Sequence, residues 1–157
     1  MRYVLVEPSD IVIPHGSLPP PQAGLLQTNK QVRKEAISIY YKENTFKFHL
    51  RDYDGTVLHK WAGKSTLHRR APVKMKTRGS RNWVNLLKWL QWYYNREVNG
   101  PSPERMRTKE KDNYAVAQLF AMVCEMRKGE LKLSWEQVEP LLERVHQVMA
   151  ALEKGWA

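Results

Sequence analysis

At 157 residues and 42% hydrophobic composition, the chain has enough apolar surface for one domain with its own core, which excludes a globally disordered protein. No apolar run approaches the roughly 20 residues that cross a bilayer, and the N-terminus lacks a secretory signal, so we expect no membrane association. A single cysteine, Cys124, excludes an internal disulfide and predicts an intracellular protein, in the cytoplasm or nucleus.

The N-terminal residues 7–23 are predicted to form a Pro-rich extended connection on the surface of the domain. Pro8 and Pro14 interrupt the short apolar runs at 3–6 and 11–13, and three consecutive prolines follow at 19–21. These three prolines favour a rigid spacer over a polyproline ligand, because no Pro-x-x-Pro repeat with a basic anchor accompanies them.

Residues 25–49 are predicted to form an amphipathic helix that runs through a short turn into a strand. Phe46 and Phe48 alternate with polar residues and share one face of the strand, while Asn44 suits a left-handed cap at the end of the helix. The helix has one face suited to burial, formed by residues at spacings of three, four or seven: Leu25, Val32, Ala36, Ile39 and Tyr40.

This stretch, LLQTNKQVRKEAISIYYKENTFKF at residues 25–48, resembles a segment of a large group of fungal proteins of unknown function with an F-box-like N-terminus. GSRNWVNLLKWL at residues 79–90 is similar to a second segment of the family, so the resemblance covers about residues 2–90. Asn29 stands where the family has Cys, and the preceding F-box-like motif that docks on the adaptor Skp1 has no counterpart in this sequence. The resemblance therefore implies a protein-interaction module rather than recruitment by Skp1.

Beyond the strand, residues 51–55 predict a turn, residues 56–62 a short helix, and residues 72–77 a second strand whose lysines suit a sheet edge. Pro and Gly at 99–103 predict a flexible loop over 99–112, before a helix at 114–128 that is apolar nearly all round and therefore central. Ser134 and Gln137 match a capping box for the last helix, which kinks at Pro140 or starts afresh near Glu139. We expect an α+β fold: a mostly helical single domain over residues 1–157 with a small antiparallel β-sheet of two or three strands.

Residues 55–96 contain ten Lys and Arg and no Asp or Glu, so this segment alone accounts for the net charge. Such a segment forms either an ordinary solvated surface or a positive face for an anionic partner. In the helix predicted at 81–96, two indoles lie off the apolar face, and either the C-terminal helices cover them or they form an exposed patch that anchors a partner. The candidate interaction surface comprises Trp89, Trp92, Arg69, Arg70, Lys74, Lys76, Arg78 and Arg81.

The sequence contains no Gly-rich phosphate loop, no Gly-x-Ser-x-Gly elbow, no His-Glu-x-x-His and no Cys-x-x-Cys motif. Its five histidines are scattered without Cys or carboxylate neighbours at ligand spacing, so we expect no metal and no other cofactor. Cys124 lies among apolar residues, which favours a buried, inert thiol. We therefore predict a non-enzymatic protein–protein interaction module of the F-box-like family without an intact F-box, with no catalytic residues. The alternative is a nucleic-acid-binding protein that uses segment 55–96.

Overall fold

The computed structural model describes residues 5–17, 29–101, 111–129 and 132–156. The chain forms two compact units: unit 1 comprises Met1–Leu50 and Thr56–Thr77, and unit 2 comprises Arg51–Gly55 and Arg78–Ala157. The single-domain assignment over residues 1–157 stays a prediction. Residues 18–23 of the expected connection and 102–110 of the expected flexible loop lie outside the described residues.

The described strands form a three-stranded sheet with the order β1-β2-β3: β1 is Ile11–Ile13, β2 is Phe46–Arg51 and β3 is Val73–Arg78. All of its residues belong to unit 1 except Arg51 and Arg78, which end β2 and β3. β1 pairs with β2 in parallel, with Ile11 opposite Phe46. The N–H of Phe46 donates to the carbonyl of Pro72, and the N–H of Asp52 donates to that of Arg78, at 2.9 and 2.8 Å. Residue numbers rise in the same direction along both strands, from 46 to 52 and from 72 to 78, so β3 is parallel to β2 as well.

The predicted mixture of helix and strand is confirmed, but the antiparallel sheet is wrong. Helix α1 (Lys30–Glu43) connects β1 to β2, while α2 (Thr56–Ala62) and α3 (Thr66–Arg70) connect β2 to β3. Helical crossovers return the chain to the same end of the sheet, whereas antiparallel neighbours are joined by short hairpins. The sequence interpretation assigned residues 11–13 to the extended connection, and so missed that a β-α-β pattern begins there.

The hydrophobic core of unit 1 lies against one face of β2. Phe46, Phe48 and Leu50 alternate along the strand and are buried. Tyr41 of α1 stacks on Phe46 with ring centroids 5.7 Å apart, and Trp61 of α2 lies 5.1 Å from Phe46 and 5.2 Å from Phe48. The helices of both crossovers therefore supply aromatic side chains to the same side of the sheet.

Asn44 holds the end of α1 and the N-terminal segment together. Its backbone is extended, with φ −86° and ψ 145°, so the predicted left-handed cap is wrong. The buried side chain instead donates to the carbonyls of Tyr40 (2.8 Å) and Leu5 (2.7 Å), and accepts from the N–H of Glu7 at 2.7 Å. One amide therefore satisfies three backbone groups from two segments that are distant in sequence.

Replacing Asn44 with Ala is expected to lower the free energy of unfolding by about 2–3 kcal/mol, because the substitution leaves buried backbone groups without partners. Asn29→Ala is the matched control, since Asn29 caps the exposed start of α1 through one bond to the N–H of Gln31 and should cost only about 1 kcal/mol. Urea denaturation of both variants measures the difference. Equal losses for the two variants would contradict this role of Asn44.

Unit 2 contains α4 (Trp83–Tyr94), α5 (Lys111–Lys128) and α6 (Trp135–Leu152), followed by a 3-10 turn at Lys154–Trp156. Asn82 caps α4 by accepting from the N–H of Asn85, and Gln137 supports the start of α6 by accepting from the N–H of Ser134. Pro140 lies inside a continuous α6, so of the two alternatives, a kink at Pro140 or a fresh start near Glu139, the fresh start is wrong.

The core of unit 2 is formed largely by α4 and α5. Leu86, Trp89 and Leu90 of α4 are fully buried, as are Phe120 and Val123 of α5. α5 begins at Lys111, so the last two residues of the loop predicted at 99–112 are helical. Tyr114 is 56% exposed, which corrects the expectation that α5 is buried all round.

Candidate functional site

The face of the unit 1 sheet opposite the aromatic core carries basic side chains. The hydrogen bond from Phe46 to the carbonyl of Pro72 places Phe46 beside Val73 in the parallel register. Side chains alternate along a strand, so Val73 and Met75 lie on the core face with Phe46. Lys74 and Lys76 lie on the opposite face. On β2 the same opposite face carries Lys47 and His49. We call the set Lys47, His49, Lys74 and Lys76 the basic face. Its β3 lysines are exposed and its β2 residues half-buried.

The topology explains why the described helices of unit 1 leave this face open. The strands lie in the sheet in the same order as in the chain, and crossover connections between parallel strands are right-handed. The helices of both crossovers therefore lie on the same side of the sheet. The ring contacts of Tyr41 and Trp61 with Phe46 agree with this arrangement. Parallel sheets are usually covered on both faces and their strands read as continuous apolar runs. β2 and β3 instead alternate apolar and basic residues, as strands with one solvated face do.

One carboxylate already lies at the basic face. Asp10, immediately before β1, accepts from the ammonium group of Lys74 through both oxygens, at 2.9 and 3.0 Å. The side chain of Lys74 nevertheless remains 54% exposed, so the pair is a surface salt bridge worth at most about 1 kcal/mol. A protein carboxylate therefore fits this face without closing it to solvent.

The positive charge of the protein is concentrated on unit 1. That unit contains 12 Lys and Arg against 4 Asp and Glu, whereas unit 2 contains 14 against 12. Unit 1 thus has a net charge of +8 and unit 2 only +2. The basic face lies on the unit whose electrostatic potential attracts anionic partners.

The structure divides the predicted surface between the two units. Unit 1 holds Lys74 and Lys76 on the basic face, together with Arg69 and Arg70, which are exposed in the last turn of α3. Unit 2 holds the other four predicted residues: Arg78, Arg81, Trp89 and Trp92. Arg81 forms an ion pair with Glu153 and lies 5.7 Å from the ring of Trp156, so it stabilises the C-terminus of unit 2.

The two tryptophans of the predicted patch have different environments. Trp89 is fully buried, with its ring 4.8 Å from that of Phe120 in α5. A Cβ at Gly55 would lie only 3.1 Å from its Cγ, so Gly55 also packs against the indole. Trp89 therefore belongs to the core, as the alternative of coverage by C-terminal helices predicts, and not to an interaction surface. Trp92 is half-buried, with the ammonium of Lys88 lying 5.2 Å from its ring.

Alanine substitution of these two residues should separate their roles. Trp89→Ala removes a fully buried indole and is expected to lower the free energy of unfolding by about 3–5 kcal/mol, or to prevent folding. Trp92→Ala should cost clearly less, because its indole is only half-buried and less apolar surface is lost from the core. Thermal unfolding of the purified variants tests this, and a larger loss for Trp92→Ala would contradict the assignment.

His68 is a buried titratable group that the sequence interpretation missed. It is 7% exposed, its Nδ1 lies 2.6 Å from the hydroxyl oxygen of Ser65, and its ring centroid is 4.2 Å from that of Tyr41. Burial, and secondarily the charge of Lys64, lowers the pKa of His68. The sequence feature that could have indicated this contact is Ser65, three residues before His68. At this spacing the hydroxyl of an N-cap serine lies near the third residue of the helix.

The lowered pKa of His68 predicts that acid weakens the fold. The folded chain binds fewer protons than the unfolded chain, so the contribution of neutral His68 is present above about pH 6.5 and is lost as the pH falls through the folded-state pKa. We expect His68→Asn to reduce the acid sensitivity of urea unfolding. His15→Asn, at an exposed position, should keep it. Unchanged acid sensitivity in His68→Asn would refute the prediction.

Unit 2 contains a second cluster that was missed. The indole N–H of Trp83 donates to Glu143 at 2.8 Å, and its ring stacks on His146 at 4.3 Å with an interplanar angle of 3°. The Nε2 of His146 lies 2.7 Å from the carbonyl oxygen of Trp156. Glu143 and His146 are three residues apart on a helix, a carboxylate spacing that the sequence interpretation overlooked. The cluster connects α4, α6 and the C-terminal turn, so its role is structural.

Cys124 is half-buried rather than buried as predicted. Burial opposes its ionisation, but a hydrogen bond with Tyr93 and interactions with Lys128 and Arg127 outweigh it and lower the pKa of the thiol.

Within the described parts of the chain, no group of three or more His, Cys, Asp and Glu residues comes together as a metal site. No helix in those same parts is long and apolar enough to cross a membrane.

Comparison with known proteins finds no matching family model, no matching curated protein and no matching solved structure. The relationship to fungal F-box-like proteins therefore stays a prediction from residues 25–48 and 79–90.

Proposed function

We propose that this protein is a non-enzymatic interaction module that binds an acidic segment of a partner protein on the basic face. The observation that carries the proposal is the alternation on the two paired strands of unit 1. Phe46 and Phe48 point to the core, while Lys47, Lys74 and Lys76 point away from it. Placing cations on one open face of a sheet creates a field that attracts and orients a partner of opposite sign.

Two features favour an acidic protein over nucleic acid. Asp10 already pairs with Lys74, so this face accommodates a carboxylate, the acidic group of a protein side chain. Single-stranded nucleic acids are usually held by aromatic side chains on which bases stack. The basic face carries no Phe, Tyr or Trp, and the β1 position beside Lys47 is Val12, which is 48% exposed.

Nucleic-acid binding is the second candidate, supported by the net charge of +8 on unit 1 and by the exposed Arg69 and Arg70. Phosphate contacts release condensed counterions, so this mode predicts a steep loss of affinity between roughly 50 and 200 mM salt. A partner bound by a few carboxylates, with apolar contacts beside them, would depend less steeply on salt.

The test compares a fluorescein-labelled acidic peptide with a labelled DNA duplex and a labelled single strand in anisotropy titrations. The double variant Lys47→Glu and Lys76→Glu should weaken peptide binding by roughly tenfold or more, because two attractive pairs become repulsive. Arg144→Glu, at an exposed position of unit 2, is the control with no effect expected beyond a small change in net charge.

Three outcomes are informative. Preferential peptide binding that the double variant abolishes supports the proposal. Tighter DNA binding with a steep salt dependence would replace it with the second candidate. The double variant changes the net charge by four and Arg144→Glu by two, so a loss of binding free energy in the double variant that is only twice the loss in Arg144→Glu would show that total charge, and not the basic face, governs binding.

A further inference from the structure

We propose that the acidic segment binds as a fourth strand along the outer edge of β3. This inference rests on the proposed function, and it specifies the mode of binding and the pattern of the partner sequence. Adding a strand to a sheet edge combines main-chain hydrogen bonds, which give affinity, with alternating side-chain contacts, which give specificity.

The position of β3 makes its outer edge available within the described part of unit 1. β3 is the last strand in the order β1-β2-β3, so β2 lies on one side of it and no described strand on the other. The carbonyl of Pro72 accepts from the N–H of Phe46 at the start of β2, and the carbonyl of Arg78 accepts from that of Asp52, immediately after β2. These bonds fix the even-numbered residues of β3 as those that face β2. In a parallel ladder the intervening residues point the other way, so the N–H and C=O groups of Val73 and Met75 point to the outer edge.

The side chains of β3 define what an added strand must carry. Lys74 and Lys76 are exposed on the basic face, while Val73 and Met75 are half-buried on the core face. Side chains of neighbouring strands meet on the same face, and opposite charges across strands attract. The added strand would therefore present acidic residues beside the lysines and apolar residues beside Val73 and Met75. This predicts a partner segment of about five or six residues in which acidic and apolar residues alternate.

The same charges argue against a second copy of this chain as the occupant. Two β3 edges brought together would set lysines against lysines, and lysines at sheet edges are a common device that prevents self-association. An acidic strand converts this repulsion into attraction. Charge complementarity therefore selects a partner of opposite sign over self-pairing.

The experiment measures binding of two labelled peptides of the same composition, one with alternating Glu and Val and one with all Glu residues before all Val residues. Met75→Pro removes an outward N–H but leaves the bonds of Lys74 and Lys76 to β2, and Pro is tolerated at sheet edges. Met75→Leu is the matched control, because it keeps the backbone donor and nearly the same volume. Circular dichroism of both variants is the control that they fold like the parent protein.

We expect the parent and Met75→Leu to bind the alternating peptide about tenfold more tightly than the block peptide, and Met75→Pro to lose this preference. Amide hydrogen exchange gives an independent measurement on the parent, where the alternating peptide should protect Val73 and Met75.

Equal binding of both peptides without protection of these amides would overturn strand addition and leave the proposed function standing. Binding of neither peptide would contradict the proposed function itself.

Discussion

The structure of unit 1 depends on the division of β2 into two faces. Phe46, Phe48 and Leu50 must be buried together, and each such side chain contributes roughly 1.5–3 kcal/mol when it leaves water. Only one side of the sheet can meet this requirement, because both crossovers bring their aromatic residues to that side. The opposite side must then be polar, and in this chain its residues on β2 and β3 are basic.

The parallel direction of the strands has a functional consequence. A chain that returns through helices after each strand leaves β3 at the end of the sheet, with a solvated face beside it. β3 therefore carries two kinds of group that can bind a partner. Lys74 and Lys76 supply positive charge, and the backbone of Val73 and Met75 supplies hydrogen-bonding groups at the outer edge. The pair between Asp10 and Lys74 shows on a small scale the chemistry that we propose for a partner.

Features set by local sequence were predictable. The helix at Thr56–Ala62 and the strand that carries Phe46 and Phe48 follow from hydrophobic periodicity, and the edge position of the β3 lysines follows from their alternation. Features set by distant contacts were not predictable. β1 has three residues, too few for a periodic signal, and it is defined by pairing with residues 46–48. The burial of Trp89 depends on Phe120, 31 positions further along the chain, which a helical wheel of α4 cannot show.

Mapping the bound surface residue by residue tests the central claim most directly. Amide chemical shifts of the isotope-labelled full chain would be followed by NMR while an acidic peptide with alternating apolar residues is added. Our account predicts that the largest changes fall in β2 and β3 of unit 1, at Lys47, His49 and residues 73–76. Changes centred on unit 2, with β2 and β3 unaffected, would contradict it.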